Sequence, residues 1–573
     1  MAKKEEQKKP LLPPLEKIKA YALQNAVDHN GKAAQGPVLN SLFTEGLQKE
    51  NIKDVMPLIQ KVLTEVNAMP VEKQKSALEN NQDLVKKREK REGLAPLENA
   101  EDKKVVTRFP PFPSGPLHIG NTRQAILNDE YTKMYHGKLI LIMDDTIGSD
   151  EKPIEPEAYD LIPEGLKWLK VKSSPKIIYK SDRLKIYYKY ALEMIEKGYL
   201  YVCNCSQETM HDLKAKGIEC ACRFSPLSEQ KKRWKKMFEA KPGEYTVRLK
   251  TNMQDPNPAF RDRVMFRISD RIHPRVKDKY NVWPLLEFSW AIDDHLLGIT
   301  HIIRGMDLVM ETQVEEYIWD LLKWKKPVTI HTGFFQIEGV KLSKSKGAKE
   351  VRAGTFIGWN DPRTWSLQSL RDRGILPEAI REFCVSMGLT KSNSTVAVDV
   401  LYSINRKLLD KCPRYFFVDN PVQITIRNAP KINAKIPLHP SEKLGNRNYK
   451  TNNEFFISKT DYDQMDEGNY RLMHLLNAEL KYTLLTKEKE FNYISEEPDP
   501  NLGTRFIHWL PAKEKNVQVT VRMPDNSLIQ GYGEPELAKL KIGTIIQFER
   551  FGFVRLYKFD KKRNEAEFWF AHG

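Results

Sequence analysis

The sequence predicts a multidomain chain that joins α/β parts to all-β parts, and three observations carry that prediction. A short β-rich run, VVTRFP from Val105, leads into a turn-rich segment, a helix closed by Gly137, and a second apolar run, KLILIMDD (Lys138 to Asp145). Strand, helix and strand in that order make a βαβ unit, which implies a parallel sheet with a right-handed crossover. From Tyr415 onward, short alternating runs (PVQITI, VQVTVRM, GTIIQFERFGFVRLY, EAEFWF) are separated by turns, the pattern of antiparallel barrels. The length of 573 residues leaves room for about three to five domains.

Taken in order, residues 1–100 read as a helical region. LEKIKAYALQNAVDHN (Leu15 to Asn30) and VMPLIQKVLTEVNAM (Val55 to Met69) carry apolar residues at helical spacing, and a charged stretch, Lys86 to Glu101, follows as a helix end and linker. Residues 101–200 hold the βαβ unit. Residues 201–290 form an insertion with cysteine pairs, a basic helix and a strand-like EYTVRLKT (Glu244 to Thr251). Parallel-sheet character resumes over 291–355 with HLLGITHIIRG (His295 to Gly305); residues 356–414 return to helix, and 415–573 read as two β-barrels.

Composition narrows the function classes. Apolar residues make up 40% and charged residues 29%, a globular balance that excludes disorder of the whole chain. No run of about 18 apolar residues occurs, so no membrane partner is expected. The opening MAKKEEQKKPLLPP lacks an apolar core for a leader, so the expectation is a cytoplasmic protein. The net charge is +16, with peaks at Lys86 to Arg91 and Lys231 to Lys236. An excess of this kind fits either a polyanionic partner or a solvated basic surface.

Two short motifs carry chemistry. PSGPLHIGN, Pro113 to Asn121, lies between a strand and a helix start. Pro113, Ser114, Gly115 and Gly120 allow tight backbone geometry, the helix start offers unpaired N–H groups to an anion, and His118 adds a side-chain donor. KLSKSKG, Lys341 to Gly347, follows more than 200 residues later as a cationic loop, with Lys341 and Lys344 flanking hydroxyls and Ser345 and Gly347 beyond. Either loop alone is unspecific. As an ordered pair they resemble the HIGH and KMSKS signatures of class I aminoacyl-tRNA synthetases. TRFPPFPSGPLHIGN, the strand-end DDT (Asp144 to Thr146), DDHLLGITHIIRG and GWNDPRTWSLQSLRDRG are similar to the glutamyl/glutaminyl branch, and GEPELAKLKIGTIIQFERFGFVRL (Gly533 to Leu556) to the distal barrel of archaeal-type glutamyl-tRNA synthetases.

The resemblance implies a Rossmann-like catalytic core, an insertion for the tRNA acceptor end and barrels that read the anticodon. It implies a monomer that uses ATP with Mg²⁺, L-glutamate and tRNA(Glu), with tRNA(Gln) left open. His118, Lys344 and Lys341 would be catalytic. Pro113, Ser114, Gly115, His118, Gly120, Asn121, Lys341, Ser343, Lys344 and Ser345 would meet ATP, although the family motif ends in His where this chain has Asn121. Arg108 would meet the substrate's carboxylate end and Asp144 its ammonium. Arg304 falls where glutamyl enzymes place an arginine against the side-chain carboxylate, and Leu286 where glutaminyl enzymes have Tyr; Ile142 stands where many relatives have Arg. The expectation at Arg304 is a charge argument, since a desolvated guanidinium facing a neutral amide leaves its charge uncompensated. A glutaminyl enzyme is disfavoured by Arg304 and Leu286, and a non-catalytic tRNA-binding scaffold by the presence of both His118 and Lys344.

Cys203 and Cys205 are followed, after 14 intervening residues, by Cys220 and Cys222. Four thiolates in such a hairpin could hold a structural Zn²⁺ tetrahedrally; four reduced thiols are the competing reading. Cys384 and Cys412 read as core thiols in helices. The aromatics of IHW (Ile507 to Trp509), FERFGFVR and RNEAEFWF fit either a barrel core or stacking on unpaired anticodon bases.

Overall fold

The computed structural model describes residues 13–573 except 30, 46, 49–50, 86–92, 148–151, 341–343 and 484–487, and at 44, 82, 344 and 345 the backbone alone. The basic run at 86–91 therefore lies outside the described residues. Two compact units are present, one ending at Glu92 and one beginning at Gly93.

The first unit is a four-helix cluster: α1 (Leu15–Asp28), α2 (Gln35–Thr44), α3 (Ile52–Asn67) and α4 (Val71–Glu79). Val55, Ile59, Val62 and Val66 of α3 recur at steps of three and four, so they share one face and are buried. They meet Ile18, Ala22 and Ala26 of α1 in a separate apolar core.

The second unit opens with the βαβ unit. β1 (Val106–Phe109) and β2 (Lys138–Met143) pair in parallel, with Arg108 opposite Ile140, and α5 (Ile119–Met134) crosses between them. Leu139 to Met143 are all buried, as a parallel strand covered on both faces requires. Ile142, where many relatives have Arg, is one of these core positions. α6 (Ala158–Trp168) leads to β3 (Ile178–Tyr179), which extends the sheet in parallel. α7 (Leu184–Glu196) then feeds the insertion, whose strands β4 (Leu200–Cys203), β5 (Thr246–Leu249), β6 (Val264–Ile268) and β7 (Val282–Pro284) form an antiparallel sheet flanked by α8 (Gln207–Lys216) and α9 (Leu227–Met237). On α9, Trp234 and Met237 turn inward, while Lys232, Lys235 and Lys236 of the basic peak are exposed.

α10 (Leu286–Leu296) returns the chain to the parallel layer. β8 (His301–Gly305) pairs in parallel with β9 (Val328–Thr332) across α11 (Val309–Leu322). β8 lies beside β1, and just before it the Thr300 N–H donates to the Val106 carbonyl at 2.9 Å. β10 (Phe335–Ile337) pairs with β11 (Ser394–Val396), a strand inside the stretch read as purely helical. α12 (Lys344–Arg352), α13 (Leu367–Arg373), α14 (Pro377–Met387) and α15 (Val398–Leu409) complete the region. Cys384 is buried in α14; Cys412 sits in the turn after α15 rather than in a helix.

Two seven-stranded sheets and a two-stranded hairpin, Asn433–Pro437 with Asn446–Lys450, make up the rest. Their strands interleave in the sequence: Arg414–Tyr415 and Phe417–Asp419 belong with the strands of 517–572, whereas Pro421–Arg427 to Leu510–Pro511 build the other sheet. Fully buried Arg447, on the hairpin strand Asn446–Lys450, donates to Glu534 (2.7 Å) and Glu549 (2.9 Å) on the C-terminal side. Arg373 of α13 donates to the Ala571 carbonyl at 2.9 Å, tying the helical region to the last strand. Trp509, Phe548, Phe553, Phe568 and Trp569 are interior, so most aromatics weighed for base stacking are core; Phe506, beside the IHW run, is 59% exposed.

Candidate active site

The turn-rich segment after β1 closes onto the start of α5. His118 is the N-cap: its Nδ1 accepts the Gly120 N–H at 3.1 Å, while the Asn121 side-chain oxygen accepts the His118 N–H at 3.3 Å. This reciprocal box satisfies two of the helix's orphan donors. It also assigns the neutral imidazole's proton to Nε2, because Nδ1 is occupied as an acceptor. Asn121, where the family pattern has His, thus holds the loop's shape through its carbonyl oxygen. Gly115 adopts φ +137°, and a Cβ there would lie 2.8 Å from the Trp359 ring, so a side chain is excluded on both counts. Backbone bonds from Ile119 N–H to the Trp365 carbonyl and from Leu367 N–H to the Leu117 carbonyl pin the loop to the segment before α13.

The segment borders a cleft of about 570 Å³ lined by Ser114, His118, Gly120 and Asn121 on one side and Arg108, Asp144, Leu286, Trp290 and Arg304 on another. Eight described residues of the sequence-predicted ATP and glutamate sets, Arg108, Ser114, His118, Gly120, Asn121, Asp144, Leu286 and Arg304, therefore share one cavity. Pro113 and Gly115 support the segment from behind; the Pro113 carbonyl accepts the Glu155 N–H at 2.9 Å. Lys341 and Ser343 lie outside the described residues. Lys344 opens α12 and Ser345 follows it, so the second motif is helical from Lys344 onward rather than a loop throughout.

Three buried cations around the cleft, Arg108, Lys180 and Arg304, are each paired with a buried carboxylate. Arg108, at the middle of β1, donates through Nε and Nη2 to Asp294 at 2.5 and 2.8 Å. Burial works against its charge, yet Asp294 holds its pKa above the ordinary value. Lys180 Nζ lies 3.0 Å from Asp144 Oδ1 and donates to Ser289 Oγ at 2.7 Å. Burial pushes the Asp144 carboxyl up, with Lys180 opposing. Arg304, at the end of β8, donates through Nη1 and Nη2 to Glu315 of α11 at 2.9 and 2.6 Å. Arg108, Lys180 and Arg304 also lie 4.7, 5.0 and 5.5 Å from the centroid of the Trp290 ring, within cation–π range.

These pairs correct the charge argument at Arg304. A neutral amide in the cleft would not leave its guanidinium uncompensated, because Glu315 already compensates it. Sequence reasoning missed Lys180, Trp290, Asp294 and Glu315. One signal was present: Leu286, Trp290 and Asp294 recur every four residues on α10 and so share a face. Lys180 and Glu315 carry no such mark.

In the insertion, the Sγ atoms of Cys203, Cys205, Cys220 and Cys222 all lie within 4.8 Å of one another. Cys203–Cys220, Cys205–Cys220 and Cys205–Cys222 stand at 3.7, 3.2 and 3.8 Å between sulfurs, against roughly 3.8 Å for sulfurs tetrahedrally placed 2.3 Å from zinc. The Cys222 N–H donates to Cys220 Sγ at 3.4 Å. Donor set and spacing fit a closed structural site. Nearby, Lys214 and Lys250 are partly buried; burial and then neighbouring Arg248 and Arg223, respectively, hold both ammonium groups below their usual range.

Comparison with known proteins agrees with this geometry. The model for tRNA synthetases class I (E and Q), catalytic domain, matches residues 104–411. Two models for the anti-codon binding domain of the same class match 412–496 and 506–557. A glutamate–tRNA ligase of Pyrococcus abyssi is 43% identical over 557 residues, covering 95% of this chain and 97% of that protein. The glutamate–tRNA ligase of Methanocaldococcus jannaschii is 40% identical, covering 96% and 98%. That of Methanothermobacter thermautotrophicus is 38% identical, covering 98% and 100%.

Proposed function

The chain belongs to the class I tRNA synthetases of the glutamyl and glutaminyl (E and Q) branch, and on that footing we propose that it ligates L-glutamate to tRNA in two steps. The α-carboxylate of glutamate attacks the α-phosphorus of ATP, and pyrophosphate leaves. The 2′-hydroxyl of the tRNA's terminal adenosine then takes the glutamyl group from the adenylate, and AMP leaves. The observation that carries this reading is the single cleft shared by a phosphate-type helix N-terminus and a cluster of side chains built for an amino acid. Chemistry of this kind depends on positioning and charge neutralisation more than on a covalent nucleophile.

His118 Nε2–H and the α5 N-terminus would stabilise charge on the α-phosphate. Lys344, with Lys341, would follow the leaving pyrophosphate. Ser114, Gly115, Gly120, Asn121, Ser343 and Ser345 would shape the nucleotide pocket. ATP would bring Mg²⁺, whose charge would offset that of the phosphates. Arg108, Asp144 and Arg304 would orient glutamate, and Leu286 offers no hydroxyl to an amide. The anticodon-binding regions and the cationic face of the insertion imply tRNA(Glu) as partner, with tRNA(Gln) decided by experiment. Aminoacylation with glutamate and with glutamine against each tRNA separately tests the reading; charging with glutamine alone overturns it.

Lys344→Ala should cut the rate of adenylate formation by about 10²-fold while tRNA affinity stays within a few-fold, as expected for a group that acts on developing charge. Near-normal activation in that variant removes the second motif from the mechanism.

Cys203, Cys205, Cys220 and Cys222 would hold one Zn²⁺, which would supply a rigid join between the end of β4 and the turn after α8. Metal analysis should return one equivalent per chain, and Cys222→Ser should lose it and weaken tRNA binding more than it weakens pyrophosphate exchange. A metal-free preparation that charges tRNA at the full rate sinks the site.

A further inference from the structure

Glutamate and glutamine are nearly isosteric, so a pocket must separate them by charge or by hydrogen-bond sense. At the inner cleft, three cations face three carboxylates: Arg108 with Asp294, Lys180 with Asp144, Arg304 with Glu315. With every group ionised, the charges of these three pairs cancel. Net charge is therefore a weak discriminator here, and the direction of the remaining donors has to decide.

Two donors remain. Glu315 takes both terminal nitrogens of Arg304, and Arg304 Nε is buried without a hydrogen-bond partner. The indole Nε1 of Trp290, a residue only 4% exposed, is likewise buried without one. Both residues line the cleft beside Leu286, and the Arg304 guanidinium carbon lies 5.5 Å from the Trp290 ring centroid. A buried donor left unmet is costly, and two in the lining of one cleft mark a place where an acceptor belongs.

We propose that Trp290 is a specificity-determining residue whose indole N–H, together with Arg304 Nε–H, receives the substrate's side-chain carboxylate. Both groups donate and neither accepts. A carboxylate offers an oxygen to each. An amide offers one oxygen; its NH₂ then meets the second donor and leaves it unmet, the kind of mismatch that discriminates strongly. Glu315 fixes the guanidinium so that Nε, rather than its fork, faces the substrate. The proposal rests on glutamate being the substrate.

Trp290→Phe is the test, since it keeps an aromatic face for the three cations and removes only the N–H. Wild-type protein is first assayed in pyrophosphate exchange, with tRNA present, on glutamate and on glutamine. If the wild type prefers glutamine, the substrate reading itself has failed, whatever Trp290 does. Given a glutamate preference, the variant should raise KM for glutamate about 10-fold, keep kcat and KM for ATP within about twofold, and narrow the glutamate-to-glutamine ratio about 10-fold. An unchanged KM, or equal losses on both amino acids and ATP, overturns the proposal and leaves Trp290 as a platform for its cations. A second measurement needs no variant to fold. In wild-type protein with ¹⁵N-labelled tryptophan, one of the ten indole N–H signals should shift downfield on adding glutamate and move much less with glutamine. No shifting indole, or an equal shift with both, overturns it as well.

Discussion

Replacing Arg304 by Gln should lower kcat/KM for glutamate in pyrophosphate exchange by about 10³-fold, roughly 4 kcal/mol. Two losses combine. The substrate loses a donor on a charged group, worth about 1.5–3 kcal/mol. Glu315, fully buried on α11, loses the fork that holds it; it then repels the substrate's own carboxylate, and the broken buried pair costs the fold about 3–5 kcal/mol. Part of that second cost is relieved because the carboxyl can take up a proton, a change its burial already favours. The double variant Arg304→Gln, Glu315→Gln separates the two. Its neutral pair should regain most of the melting temperature lost in the single variant, while glutamate use stays at least about 10²-fold down. Recovery of both would make the pair purely structural. A single variant that uses glutamate as well as wild type would show that Arg304 does not face the substrate.

The βαβ unit was legible because its signals are local. The apolar run of β2 and the Gly after α5 sit within a few residues of the features they determine. His118 was legible because a helix N-terminus after a strand is a known kind of anion site. The four cysteines were legible from spacing, although spacing alone did not bring their sulfurs together. What the sequence did not disclose is pairing over distance. Arg108 and Asp294 are 186 positions apart, and Lys180 and Ser289 are 109 apart. No periodicity links such residues; the parallel layer does, by setting β1, β8 and α10 around one cleft. The charge argument at Arg304 failed for the same reason, since its partner lies beyond a turn, on another element. Alternation likewise revealed the barrel strands without saying which sheet each joins, so the crossing of Arg414–Asp419 into the C-terminal sheet was not foreseen. Lys341 and Ser343 stand outside the described residues, and their proposed role rests on the sequence motif alone.

His118→Asn should lower the rate of glutamyl-adenylate formation by about 10³-fold while the fold and the affinity for ATP stay nearly unchanged. The imidazole does two jobs at once. Its Nδ1 caps α5 by accepting the Gly120 N–H, and its Nε2–H is the donor proposed to meet the α-phosphate. Asparagine is among the preferred N-caps, and its side-chain oxygen can take over the first job. It cannot reach as far as Nε2, so the second is lost. Removing one preorganised donor from developing negative charge costs about 10² to 10³ in kcat; the upper end applies here because the helix N-terminus aims its dipole at the same place. His118→Ala removes cap and donor together. Its melting temperature should fall below that of His118→Asn by an amount matching about 1 kcal/mol for a lost cap, while the two variants share the same catalytic defect. If His118→Asn instead forms adenylate at the wild-type rate, the imidazole serves the helix alone, and the charge on the phosphate must be met by the backbone N–H groups of α5 and by the second motif.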